Sequence, residues 1–314
     1  MQPALSVIFF TVVSGCGYGL LFLVALAGML DPPAVGRAET LVALVAGAVL
    51  AAAGLTSSLL HLGKPRRAWR AFSQWRSSWL SREGVASVIT FVPLAALGFA
   101  AWSGAAPVAA RALAVVLAAM AGATVYCTAR IYSSLKTIHA WHNAYVVPGY
   151  LLFALLGGGA ALWTLDAAFG AATRPDHDLL PVAVAVLGAA TALLKRGYWN
   201  FIDADAGGSS PESATGLGRF GRVRSAEAPH TEHNYLTREM GFVLARVHAQ
   251  RLRVIAIVLF ALVPLAAAAA TYFLPATALA MGIAAAAAIV AGAFVERWLF
   301  FAQARHVVMR YYET

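Results

Sequence analysis

Residues 41–99 read "LVALVAGAVLAAAGLTSSLLHLGKPRRAWRAFSQWRSSWLSREGVASVITFVPLAALGF". Two apolar runs flank a segment of opposite character: residues 64–82 hold six cationic side chains and three tryptophans but no acid. Each flanking run approaches the roughly 20 residues a helix needs to cross the hydrocarbon core of a bilayer. The stretch therefore reads as a membrane crossing, a turn along one face, and a crossing back.

The same alternation continues through the chain. Of its 314 residues 61% are hydrophobic and 12% charged, whereas soluble domains are about half apolar and a quarter charged. Eight spans are expected, at about 4–29, 39–62, 84–103, 109–132, 145–168, 179–197, 252–273 and 276–302. Backbone groups in lipid must pair within their own segment, and the runs lack the strict alternation of barrel strands. The expectation is an all-α, polytopic bundle of eight transmembrane helices forming a single domain. The first run has no basic flank and no clear cleavage site, so it reads as a retained helix.

Basic residues set the expected orientation. Twenty of the 23 lysines and arginines fall at one set of span ends, and only Arg37, Arg111 and Arg174 at the other. By the positive-inside rule that face and both termini are cytoplasmic. The net charge of +9 suits anionic headgroups, and no soluble module presents it to nucleic acid. Cys16 and Cys127 lie within spans without partners at metal-ligand spacing, so neither an iron–sulfur cluster nor a zinc site is expected.

Two connections stand out. As an α-helix, residues 64–82 would gather Trp69, Phe72, Trp75 and Trp79 on one arc opposite Arg66, Arg67 and Arg70, with Arg76 out of place among the aromatics. That describes an amphipathic helix in the headgroup plane between helices 2 and 3. The 199–251 connection is longer than a compact protein ordinarily tolerates without a purpose, and it reads as a cytoplasmic docking surface for another subunit.

Ionisable residues near span ends are the candidate chemistry. His61 closes the second span and Glu83 opens the third, so antiparallel packing would bring them to one depth. A histidine with a carboxylate suits a quinone headgroup, which needs hydrogen bonds to its oxygens and groups that pass protons. They equally suit a tie between two helix ends. "ARIYSSLKTIHAWHNAYVVPGY" (129–150) adds Arg130, Tyr132, Lys136, His139 and His142 on the same side, either as site residues or as interfacial anchors. Glu296 and Arg297 in "VERWLFFAQARHVVMRYY" (295–312) belong to the site or pair with each other. His139, His142 and His248 are candidates for a proton relay or for one haem b near this face, although no histidine sits mid-span.

"SLLHLGKPRRAW" and "SWLSREGVAS" together resemble the hallmark of the DMSO reductase membrane-anchor subunits (DmsC type), where an HLG-x-P-x-RA segment and an LS-x-E motif flank the same interval. "VIFFTVVSGCGYGLLFLVAL" is similar to that family's first span, and residues 129–153 to its fourth-to-fifth connection. The resemblance implies a subunit without a cluster of its own in the bacterial inner membrane. It would anchor a molybdopterin catalytic subunit (Mo-bis-pterin) and a ferredoxin-like iron–sulfur subunit, and exchange electrons with ubiquinone or menaquinone. The family's quinol-site histidine falls on His61 and its glutamate on Glu83. Arg66, Arg67, Trp69 and Trp79 would roof the quinone pocket, with Arg130 and Tyr132 beside it.

The long 199–251 connection, His139 with His142, and the extended C-terminal segment depart from the simplest family pattern. With the His61 face cytoplasmic, they point to the sulfite-oxidising branch (SoeC type), which delivers electrons to the quinone pool. A quinol-oxidising DMSO reductase anchor is the alternative direction. A stand-alone transporter is the alternative of another class. It would want broken helices or midplane charges, and the spans offer only glycine-rich stretches such as "LLGGGAALW" (155–163).

Overall fold

The structure is a computed structural model that describes residues 4–30, 36–170, 179–204, 211–224, 227 and 244–307, without the side chains of residues 61, 213, 214 and 244–247. Among the described residues eight helices are long and apolar enough to cross a membrane: α1 (Leu5–Leu30), α2 (Arg37–Ser58), α3 (Trp79–Ser103), α4 (Pro107–Ser133), α5 (Val146–Ala168), α6 (Leu179–Ala204), α7 (His248–Phe273) and α8 (Pro275–Ala302). The protein is all-helical and crosses the membrane repeatedly. Among the described residues the only β-pairing is an isolated bridge between Ile138 and His306. Nearly half of the expected docking loop (205–210, 225–226 and 228–243) lies outside the described residues.

α1 and α5 form the centre, each with 67% of its most apolar window buried, against 28–39% for the other six. Small residues explain how they meet. A Cβ on Gly158 of α5 would collide with the Gly19–Leu20 backbone of α1, and one on Gly19 with the Ala154 carbonyl. Helix backbones in a bilayer approach this closely only where side chains are absent. α2 and α4 also lean on α1, α3 packs on α4, and α6 and α8 flank α5.

Local chemistry sets the ends. Gly104 closes α3 in the left-handed region (φ 71°), its own N–H and that of Ala105 returning to the Ala100 carbonyl, and Pro107 opens α4. In α7 the turn Val258–Leu262 widens to a π-helix just before Pro264, which has no N–H to give the ladder. Gly188 and Gly292 receive this bulge from either side, with a Cβ on each meeting the Phe260 backbone at 3.0 and 2.9 Å.

Between α2 and α3 the backbone forms a 3₁₀ turn (Leu59–His61) and a 3₁₀ helix (Pro65–Gln74). This corrects the expected α-helix over 64–82, because Trp79 belongs to α3. In a 3₁₀ helix residues three apart eclipse, which aligns Arg66, Trp69, Phe72 and Trp75. Arg76 lies beyond this helix, in the turn that leads into α3. Trp69 and Trp75 are 65% and 53% exposed, while Phe72 lies over Gly84, within 3.0 Å of where a Cβ would stand.

Candidate functional site

The turn after α2, the start of α3, the end of α4, the start of α5 and the ends of α6 and α8 share one end of the bundle. Two buried ionisable clusters sit just inside it. In the first, Glu83 is 4% exposed and its Oε1 accepts a hydrogen bond of 2.5 Å from the Thr128 hydroxyl of α4. Helical spacing builds the seam around it. Glu83, Ser87 and Thr90 fall at i, i+4 and i+7 on α3, facing Thr124 and Thr128 on α4, and Thr90 and Thr124 bond at 3.2 Å. Tyr18 of α1 is buried with its hydroxyl facing Ser87 of this seam, without a well-formed hydrogen bond.

One turn before Glu83 on α3, Trp79 forms a cationic–aromatic stack. The guanidinium groups of Arg82 and Arg130 sit 4.3 and 5.1 Å from the Trp79 ring centroid, and Trp79 meets Tyr126 edge-on at 5.9 Å. Arg82 also donates to the Trp75 and Arg76 carbonyls at 3.0 and 2.6 Å. It thereby fastens the exposed 3₁₀ segment to the helix that carries Glu83.

The second cluster joins α6 to α8. Glu296 is 1% exposed; its carboxylate lies 2.5 Å from Lys195 Nζ and 3.6 Å from Arg297. Lys195 sits over the Tyr198 ring at 3.7 Å and Arg297 over Tyr150 at 3.7 Å. Nearby, Arg253 of α7 grips Asp203 through two nitrogens, at 2.5 and 2.9 Å. The buried Glu296 thus has fixed cations, as burial requires, while in the second pair it is the cation, Arg253, that is buried.

Aromatic rings fill the space between the clusters. Tyr132 stacks on Tyr150 at 5.8 Å and meets Trp141, Phe300 and Phe301 edge-on. The connection between α4 and α5 seals this end. Trp141 Nε1 donates to the Phe300 carbonyl at 3.0 Å, and the Tyr198 hydroxyl to the Ala140 carbonyl at 3.0 Å. Two narrow, water-sized cavities remain. One lies among α1, α4, α5 and α8, lined by Tyr18, Thr128, Tyr150 and Arg297 with apolar neighbours. The other is lined by Tyr145, Lys195, Tyr198, Glu296 and Arg297.

Of the sequence candidates, Glu83, Trp79 and Arg130 come together. His61 ends the 3₁₀ turn after α2, and its side chain lies outside the described residues. Arg66, Arg67 and Trp69 belong to the exposed 3₁₀ helix. Tyr132 faces the aromatic layer toward Tyr150. The histidines have separate surroundings: His139 stacks on Phe201 at 4.6 Å, His142 Nδ1 lies 2.7 Å from the Ser133 carbonyl, and His248 is exposed. Sequence reasoning passes over Thr128, Tyr18 and Tyr150, and counts Lys195 only as a loop-facing cation. Signals for them exist: α6 runs on to Ala204, which leaves Lys195 two turns inside, and the polar residues of α3 and α4 recur at helical spacing.

Comparison with known proteins agrees with this architecture. The family model for the DMSO reductase anchor subunit (DmsC) matches residues 1–302. The C subunit of the sulfite dehydrogenase of Allochromatium vinosum is 30% identical, over the full length of this protein and 99% of that relative. The C polypeptide of the anaerobic dimethyl sulfoxide reductase of Escherichia coli is 31% identical over 57% of this protein and 62% of that relative. With the family match running through all eight spans, the protein belongs to the DMSO reductase anchor subunit (DmsC) family.

Proposed function

We propose that this protein is the quinone-reactive anchor of a molybdopterin and iron–sulfur oxidoreductase in the bacterial inner membrane, and that it reduces quinone with electrons from cytoplasmic sulfite oxidation. The observation that carries the reading is Glu83, a buried carboxyl group with a hydroxyl donor, one helical turn from a stack of one tryptophan and two arginines. A quinone oxygen meeting this end of α3 would find a carboxyl group to exchange protons with and arginines to receive hydrogen bonds from. His61, at the end of the adjoining turn, is the second proton-exchanging group. Trp79 and the Trp69–Trp75 stripe offer flat apolar surface to a quinone ring or to lipid.

The partner subunits follow from the relatives' names, which make each of them one component of a larger enzyme, a sulfite dehydrogenase in one case and a dimethyl sulfoxide reductase in the other. The exposed arginines of the 3₁₀ segment and the 199–251 connection suit docking of the iron–sulfur subunit. Sulfite oxidation is favoured because the sulfite dehydrogenase relative aligns over the whole length, whereas the dimethyl sulfoxide reductase relative aligns over little more than half. The basic bias of twenty residues in 23 supports a cytoplasmic placement of this face and both termini.

The test is purification through a tag on this protein, with identification of whatever copurifies and a dithionite-reduced spectrum. A molybdopterin subunit and an iron–sulfur subunit are expected, and sulfite should reduce decylubiquinone in the intact complex. His61→Ala and Glu83→Gln should assemble normally yet lose that activity. Full activity in both variants would refute the site. A protein that purified alone and moved solutes in liposomes would revive transport.

A further inference from the structure

The second cluster and the cavity beside it are not used by that reading. The cavity among α1, α4, α5 and α8 is too narrow for a quinone ring and is not purely apolar. Two buried tyrosine hydroxyls of residues lining it, Tyr18 (3% exposed) and Tyr150 (4% exposed), make no well-formed hydrogen bond among the described residues. Buried polar groups are ordinarily satisfied by protein or by ordered water, and a cavity with several polar walls holds water where an apolar one stays dry.

The ends of this cavity give it a direction. On one side is Thr128, whose hydroxyl bonds Glu83. On the other is Arg297, which also lines the second cavity with Lys195 and Glu296. Charge bookkeeping ties the two ends together. Lys195, Glu296 and Arg297 carry one excess positive charge, and an ionised Glu83 balances it.

We propose that Tyr18, Tyr150 and the hydrated cavity between them form a proton relay connecting the Lys195–Glu296–Arg297 cluster to Glu83. The inference rests on the quinone reading for what happens at Glu83. When a quinone takes two electrons, one at a time, from the reduced iron–sulfur partner, its two oxygens must gain two protons. Each proton leaves the Glu83 carboxylic acid, forming an O–H bond on a quinone oxygen and leaving a carboxylate. Hydroxyls and water of the cavity pass a proton to that carboxylate. The Lys195 ammonium supplies it, and the neutral amine regains a proton from solvent water entering through the second cavity. Arg297 stays charged throughout and holds Tyr150 and Glu296 in place. Two protons and two electrons enter for each quinol formed.

The test uses the intact complex, with reduced methyl viologen as electron donor and decylubiquinone as acceptor, so it does not depend on the substrate of the molybdopterin subunit. Replacing Tyr18→Phe and Tyr150→Phe together removes both hydroxyls and keeps both rings, so folding is spared. Turnover should fall at least tenfold, the apparent KM for decylubiquinone should stay unchanged, and the solvent deuterium isotope effect should rise above that of the wild type. A second variant, Lys195→Met, should give the same pattern in the complex that assembles. Wild-type turnover and isotope effect in the tyrosine double variant would overturn the relay, as would a change confined to KM, which would make the tyrosines quinone contacts. Glu83→Gln separates the two proposals. If it alone stops turnover, the quinone reading stands without the relay; if it turns over normally, the quinone reading itself fails.

Discussion

Glu83 and Glu296 are two buried carboxylates at the same end of one bundle, and they are treated differently. Glu296 has Lys195 and Arg297 within 4 Å, with aromatic faces over both cations. Glu83 has one hydroxyl, that of Thr128, and its nearby arginines lean on Trp79. A fully paired buried ion is costly to disturb and holds its charge. A carboxyl group with one neutral donor fits a group that must change its protonation state during turnover. The contrast assigns a fixed charge to Glu296, leaving Lys195 as the group that can exchange a proton on the α6–α8 side, and a change of protonation to Glu83 on the α3–α4 side.

The largest effect expected is on stability at the paired side, and it should be asymmetric. Glu296→Gln leaves Lys195 and Arg297 as adjacent buried cations without a counterion. Breaking a buried pair from one side costs about 3–5 kcal/mol, so little folded complex should survive in the membrane. Lys195→Met leaves Glu296 with Arg297, a neutral pair, and should cost clearly less. Thermal denaturation of the two variants decides this, and equal losses would mean that Lys195 and Arg297 are not equivalent counterions. Next in size, Glu83→Gln should reduce quinone turnover at least about 100-fold, the scale of a lost general acid–base group, with a melting temperature near that of the wild type. A Glu83 variant that melts early and turns over normally would reverse the assignment of roles.

The fold and part of the candidate site are legible in the sequence. Runs of about twenty apolar residues separated by basic turns leave few alternatives to an eight-helix bundle, since the bilayer removes every backbone solution except the helix and the closed barrel. Glu83 was legible because an acid beside an apolar run is conspicuous. Its partner was not, because Thr128 is one of several hydroxyl residues in a span and its importance comes from α3 packing on α4. Lys195 is hidden for a related reason: the expected span stops two residues beyond it and makes it a span-end cation, whereas α6 continues for nine residues beyond it. In the 64–82 segment aromatic and basic spacing does not distinguish a 3₁₀ from an α period, and the structure has a 3₁₀ helix over Pro65–Gln74 with Trp79 opening α3.

The two sides communicate only if α1 and α5 keep their spacing, which makes their crossing the next place to perturb. Gly158→Ala would press a methyl group onto the Gly19–Leu20 backbone, where no side chain can rotate away. Overpacking of this kind costs about 1–3 kcal/mol. Melting of the complex should shift accordingly, whereas Gly15→Ala, whose Cβ meets nothing within 4 Å, should be nearly neutral. Similar shifts in both variants would argue that the α1–α5 crossing is looser than its geometry indicates.

The smallest effect expected is the most specific for Glu83. Thr128→Val keeps shape and volume but removes the one hydroxyl that bonds the carboxyl group. A net hydrogen bond contributes about 1 kcal/mol, so turnover should fall several-fold and stability only slightly. Thr128→Ser restores the hydroxyl but not the methyl group. If the bond positions Glu83 for proton exchange, Ser should recover most of the lost rate and Val should not. If Ser is as slow as Val, the methyl group packing between α3 and α4 is what matters, and Glu83 is held by its helix alone.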